Sequence, residues 1–447
     1  MPLACSPLPP ALRSLPCPAV RLSTSPQLMM AARSRSTSAW RRAKPHLAPP
    51  LLSYDGGAPQ SAPLASWTPR LSAPHDLPPR MRGKHVKLCI ALLVKGAPPD
   101  VVRDYCRYHL YVGFSQLFLF FDDPAADREA YVAVDGIPGV ACFLCDRKFW
   151  RQCVEESEMV RRREQNRVFE DTAACVETEH KCRQNLCVEL AIRRARAMGL
   201  DWLLHIDIDE VFLPQAEHPQ DFFANLPAEV VQVQLANHEV VPECLSVTNW
   251  MRDASLFKVN RCFADAEGLR RLWQSVRLAR EQALPGAGAA TYFNAYEGFK
   301  SAVRLESTPL PYDVHKFLVL APFDRYVAPS AKMTRAPTSA ASDPVILHWA
   351  NCGLHNWRRK YLNLGNFPNL WWGRVPIKLP VHLISRDLVH GAGAEEAEHF
   401  YRKVIMADTP AERACLSQAG LLVRVDFPRN CLLACDSEEF DRQKFTE

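Results

Sequence analysis

Asp207 and Asp209 stand one residue apart behind the apolar stretch from Trp202 to Ile206, with Glu210 directly after them. In a strand, residues two apart point to the same face, so the pair is expected to present two carboxylates together while Ile206 and Ile208 pack on the other side. Hard divalent cations such as Mn2+ or Mg2+ prefer oxygen ligands and take one or two protein carboxylates where phosphate oxygens complete the shell. That chemistry suits a diphosphate leaving group, whose charge a cation neutralises as its bond breaks. An isolated Asp-x-Asp is most often a solvated loop pair. This one closes an apolar strand in an α/β pattern, and open α/β sheets bind ligands at the carboxyl ends of their strands.

The elements that must hold the pair are legible around it. Lys87 to Val94 is a continuous apolar run of strand length, as expected of a strand buried on both faces. Pro99 can open a helix, Asp100 to Val112 carries apolar residues at helical spacing, and Gly113 ends it. Leu117 to Phe121 is a second buried strand running into Asp122 and Asp123, so strand, helix, strand opens a βαβ unit. Thr178 to Met198 is helical, with Gly199 as its stop. Asp201 to Asp209 follows as a strand, and Val230 to Leu235 alternates like another. These alternating elements predict a three-layer α/β domain with a mostly parallel sheet. Ala254 to Leu347 is less regular, with loop compositions at Leu284 to Ala290 and Ala328 to Asp343.

Composition bounds the rest. Across 447 residues, 48% are apolar and 23% charged, enough for a substantial core around one large domain. A net charge of +5, owed largely to N-terminal arginines, argues against a nucleic-acid-binding surface, although an anionic small ligand needs only a local basic patch. No apolar run is long enough for a membrane-spanning helix. The 16 cysteines define no zinc ribbon; Cys175, Cys182, Cys187, Cys431 and Cys435 are candidates for bridges in a secretory lumen. Nearly half of the 36 prolines fall in the first 80 or so residues, with many serines and arginines and few acids. Residues 1–83 are therefore expected to be a disordered extension or an organelle-targeting segment.

Several ordered motifs together resemble glycosyltransferase family 92 and its relatives, enzymes of the GT-A fold. They are Val94-Lys95-Gly96, Asp104-Tyr105, His109 and Gly113, Asp122-Asp123, Gln184-Asn185, and Asp201 through Phe212. Later, Gly298 to Arg304 is similar to the family's Gly-Lys-Ser-x-x-Arg element with Phe299 inserted, and Val345 to Trp349 to its late His-Tyr. The resemblance covers roughly 84–370 and implies a GT-A catalytic domain over 84–380, followed by a helical or irregular extension over 381–447. It departs at Gly96 and Ala97, where the family has Asn-Glu, and members commonly sit in the Golgi behind one membrane anchor.

The resemblance implies transfer of a hexose, with inversion, from a nucleotide-sugar donor such as a UDP-sugar to a glycan, glycolipid or glycoprotein acceptor. Asp122 or Asp123 would meet the nucleoside, Asp207 the ribose or sugar, and Asp209 and His348 the Mn2+ or Mg2+ ion. Lys300 and Arg304 would offer charge to the diphosphate. An inverting reaction needs a carboxylate to take the acceptor proton, for which Glu297 and Asp313 are candidates, with Glu239 and Glu243 behind them. Trp357, Tyr361, Trp371 and Trp372 could stack on an acceptor sugar, against the plainer reading of core packing. Two further readings stay open. Asp207 to Val211 also satisfies the Asp-x-Asp-x-[Thr/Val] motif of haloacid-dehalogenase-like phosphatases, which requires a lysine and a further acidic pair around Asp207. A non-catalytic carbohydrate-binding derivative would keep the fold and lose the convergence of Asp209 and His348.

Overall fold

The computed structural model describes residues 86–215, 218–263, 293–296, 298–338, 343–371, 375–377, 379–391, 393–406, 413–414, 416–417 and 420–436. Glu297 and Trp372 lie outside them.

The apolar runs form the strands expected of them. β1 (Leu88–Val94), β2 (Gln116–Phe121) and β3 (Val140–Leu144) are parallel neighbours, and β4 (Trp202–His205) joins the other side of β1, also parallel. Every residue of β1 and β2 is buried, which explains why the sequence reads as unbroken apolar runs. α1 (Pro99–Tyr111) makes the first crossover and ends at Gly113, whose φ of +107° suits glycine.

His109 lies on the buried face of α1 among Tyr105, Tyr108 and Phe114. It accepts from the Phe212 amide at 3.3 Å, so its role is packing.

The second half of the sheet is antiparallel in character. β5 (Glu210–Leu213), β6 (Gln232–Val240), β7 (Leu256–Lys258), β8 (Phe299–Arg304), β9 (Leu310–Asp313), β10 (Lys316–Ala321), β11 (Arg325–Val327), β12 (Thr334–Arg335) and β13 (Val345–His348) follow in order. β8 runs antiparallel between β4 and β6, and β13 pairs parallel with β6 and antiparallel with β5. β9, β10 and β11 form a separate small antiparallel sheet.

The result is the expected α/β fold, a mixed sheet whose parallel pairings run through β3, β2, β1 and β4 and recur where β12 and β13 join β6. The chain expected as a C-terminal extension is integral to it. β14 (Leu422–Arg424) adds the edge strand beside β7, and Val423, Val425, Cys431 and Leu432 join the main core cluster. Among the described residues, no helix is long and apolar enough to cross a membrane, and Cys175, Cys182 and Cys187 form no disulfides.

α2 (His180–Ala197) covers β1 by setting Cys187, Val188, Ala191, Ile192 and Ala195 against Cys89, Ala91 and Leu93. Its first turns extend past the sheet and carry His180, Lys181, Arg183 and Gln184. On the far side, α3 (Leu354–Leu364) follows β13 after Gly353, and α4 (Pro380–Gly391) packs against it.

Five histidines make the fold acid-sensitive, His109, His205 and His238 buried and His315 and His382 half-buried. Burial holds His109, His205, His315 and His382 down at about 3 and His238 at about 4, against an ordinary 6.5. With folded values depressed, their contribution to stability is complete above 6.5 and is lost as pH falls toward 3 to 4, because unfolding then takes up a proton at each ring. Unfolding free energies from urea titrations between about pH 7.5 and about pH 5 should therefore fall, with a slope of up to about 1.4 kcal/mol per pH unit for each histidine. A flat profile would contradict this burial.

Candidate active site

β4 ends at His205, and the chain turns at once, the Glu210 amide bonding the Asp207 carbonyl at 3.0 Å. Asp207 and Asp209 therefore lie in a tight turn rather than on one face of a strand. Ile206 is fully buried, while Ile208 lies at the cleft wall.

What brings the distant residues in is strand pairing after the turn. β5 pairs with β13 so that Glu210 stands opposite His348, and the Trp349 amide bonds the Asp209 carbonyl at 2.8 Å. That register sets His348 Nε2 3.7 Å from Asp209 Oδ2. His348 Nδ1 is buried without a hydrogen-bond partner, and Tyr296 packs beside the imidazole with ring centres 5.2 Å apart.

Each aspartate has its own lysine. Lys300, fully buried on β8, donates to Asp207 Oδ2 at 2.7 Å and lies 3.1 Å from Glu210 Oε2. Gln184 donates to the other Asp207 oxygen at 2.8 Å. Tyr296 donates its hydroxyl to Glu210, whose other oxygen accepts from the Asp207 amide at 2.9 Å. Burial alone would raise the pKa of Asp207, but Lys300 outweighs it and holds the carboxyl well below its usual range.

Lys360, on α3, donates to Asp209 Oδ2 at 2.8 Å. Burial opposes ionisation of Asp209 too, and Lys360 and His348 together overcome it. In return, Asp209 holds His348 above its ordinary value although burial would lower it.

These groups line a cleft of about 590 Å³ between the start of α2, the Asp207–Asp209 turn and α3. Its walls carry Lys95, His180, Lys181, Arg183, Arg359 and Lys360 against the acids Glu179, Asp207 and Asp209, so the surplus charge is positive and suits a polyanion. Sequence reading missed Lys360, Lys181 and Tyr296. The basic run Arg358-Arg359-Lys360 was the available signal for Lys360, and its reach to Asp209 depends on how α3 docks.

The other sequence candidates scatter. Asp122 is buried behind the cleft, gripped by Arg183 at 2.6 and 2.9 Å with His180 at 3.5 Å; its partners face the cleft and it does not. Asp123 accepts from the amides of Ala125 and Ala126 at 3.2 and 3.1 Å and so closes a turn.

Arg304 is not brought to the site. It lies at the opposite end of β8 from Lys300, stacked 4.6 Å over the Trp202 ring and bonded to the Val230 carbonyl at 3.0 Å, because four residues of strand separate it by about 13 Å from Lys300.

Among the acids, Glu239 is fully engaged by Lys258 and the amides of Asn294 and Ala295, and Glu243 pairs with Arg424 near the β14 edge. Asp313 ends β9 next to Val314 and His315 of the cleft wall, and burial raises its pKa. Trp357 is buried against Phe400 and Tyr401, with its indole donating to Ser385, so it belongs to the core; Tyr361 borders the cleft and contacts His382 at 2.9 Å through its hydroxyl.

Asp209 and His348 fit a divalent cation. Metal–oxygen and metal–nitrogen bonds of about 2 Å each span a 3.7 Å gap, and a two-residue donor set leaves positions for phosphate oxygens. No group of three or more His, Cys, Asp or Glu side chains forms a complete protein cage for an ion among the described residues. The lysine that a phosphatase reading requires is present as Lys300. Among the described residues, the acid beside Asp207 and Asp209 is Glu210, which is fully buried and tied to Lys300 and Tyr296 and so does not supply the further acidic pair.

No protein-family model matches the chain. Two curated Arabidopsis thaliana proteins, both named glycosyltransferase-like, are similar to it. One is 26% identical over 215 residues, covering 47% of this chain and 44% of that protein. The other is 23% identical over 219 residues, covering 47% and 39%. The chain thus spans about two fifths of the length of these relatives. Both names support a relationship to glycosyltransferases, and neither specifies family 92.

Proposed function

We propose that the protein is a GT-A-type glycosyltransferase that moves a hexose from a nucleoside-diphosphate sugar, a UDP-sugar foremost, to an acceptor hydroxyl on a glycan, lipid or protein, with Mn2+ or Mg2+ at Asp209 and His348. The observation that carries this reading is the meeting of those two side chains, 3.7 Å apart, on the floor of a cleft lined by cations. The relatives named glycosyltransferase-like support the same class.

When bound, such an ion would supply positive charge to the departing diphosphate. The chain's own residues do the rest. Lys300 and Gln184 fix the two oxygens of Asp207, leaving an ionised acceptor aimed into the cleft for sugar or ribose hydroxyls. Arg183, oriented by Asp122, adds positive charge at the α2 end. Of the two acids expected as base, Asp313 is the one within the described residues, and its raised pKa gives it the basicity that general-base catalysis needs.

The test is a donor-hydrolysis and transfer screen of the purified full chain with Mn2+ across UDP- and GDP-sugars. Release of the nucleoside diphosphate from one donor, dependent on the cation, is the expected result. Absence of both donor binding and turnover across the panel would overturn the proposal.

A further inference from the structure

Lys360 occupies the oxygen that a shared cation would need. Its ammonium lies 2.8 Å from Asp209 Oδ2, the same atom that faces His348 Nε2 at 3.7 Å. Two cations cannot both sit on that oxygen without strong repulsion.

The two lysines of the site also differ in freedom. Lys300 is 0% exposed and wedged between two carboxylates, whereas the Lys360 side chain is 38% exposed and pairs with the single carboxylate of Asp209. The backbone beneath Lys360 is anchored, since Trp357 and Tyr361 on the same helix are buried in the α3–α4 packing. The four-carbon stem can therefore swing while α3 stays in place, and the space beside it is the cleft itself.

We propose that Lys360 is the resident counter-ion of the unloaded site: it holds the Asp209 carboxylate in place, leaves that oxygen when a divalent cation binds, and passes to the phosphates of the nucleotide. This positioning role rests on the reading of Asp209 and His348 as cation ligands. It makes loading synergistic. The cation alone competes with Lys360 and binds weakly; cation and nucleoside diphosphate together give the lysine a new anionic partner and bind tightly.

The test is calorimetric titration of Mn2+ into the full chain, with and without UDP, for wild type, Lys360→Met, Lys360→Gln, Lys95→Met and His348→Ala, each checked for native circular dichroism. Both Lys360 variants are expected to bind Mn2+ alone about fivefold or more tighter than wild type and to lose most of the gain that UDP confers. Lys95→Met, which removes the same cleft charge without touching Asp209, should change the Mn2+-only affinity by no more than about twofold. Lys360 variants that bind Mn2+ no tighter than wild type, or a Lys95→Met effect of equal size, overturn the role of Lys360 while leaving the cation reading intact. Wild type and Lys360→Met both failing to bind Mn2+ even with UDP, or His348→Ala binding it as wild type does, removes the cation reading and this inference with it.

Discussion

Asp209→Ala is expected to lower sugar transfer by about a thousandfold or more while leaving the protein folded. In the proposed mechanism, Asp209 is the anionic ligand of the cation, and losing the charge stabilisation of a departing diphosphate costs several kcal/mol, or about three powers of ten in rate. The substitution also removes the carboxylate that both His348 and Lys360 contact, so neither side chain keeps its anchor on the floor of the cleft. The fold should survive because the bond that closes this part of the sheet is made by the Asp209 carbonyl to the Trp349 amide, which alanine keeps. Asp209→Asn separates the two contributions, keeping shape without charge, and should be nearly as impaired. Initial rates of nucleoside diphosphate release, with circular dichroism on the same samples, decide the matter. Turnover within about tenfold of wild type would sink the assignment of Asp209 to the cation.

Much of the scaffold behind this prediction is visible in the sequence, and the reason is local. β1 and β2 are buried on both faces, so they read as unbroken apolar runs, and α2 ends where Gly199 takes a φ of +65°. The site is less legible because long-range pairing assembles it. Asp207 and Asp209 were expected to share a strand face, yet the strand stops at His205 and a turn aims the two carboxylates at different lysines. No local pattern announces that β5 and β13 pair, which is what delivers His348 to Asp209.

Strand geometry also explains why neighbours in one motif part company. Lys300 and Arg304 belong to a single strand, and its length carries Arg304 away to Trp202. The aromatic spacing of α3 shows a similar split. Trp357 faces the core, whereas the adjoining charged position, Lys360, reaches the site.

Lys300→Met tests whether the site is held together by charge. Lys300 is 0% exposed and lies against Asp207 and Glu210, with the Tyr296 ring 5.7 Å from its ammonium. Burial alone would lower its pKa, but the two carboxylates outweigh that and hold it charged. Methionine fills similar volume and removes the charge, leaving the buried Glu210 and the part-exposed Asp207 to neutral donors from Gln184, Tyr296 and a backbone amide. Breaking a buried pair in this way costs about 3–5 kcal/mol, enough to lower the melting temperature by roughly 5 °C in a domain of this size.

The sign of the pH dependence distinguishes this cause from lost packing. Without Lys300, the folded-state pKa of the carboxylate pair rises above its unfolded value, so the penalty is largest at neutral pH and shrinks as protons neutralise the pair. Wild type loses stability on acidification through its histidines; the gap between variant and wild type should therefore close between about pH 7 and about pH 5. Glu210→Gln in the Lys300→Met background should recover part of the loss at neutral pH by removing one of the stranded charges. A penalty that stays constant with pH, and is unrelieved by Glu210→Gln, would mean that Lys300 acts through packing and that the carboxylates do not depend on it.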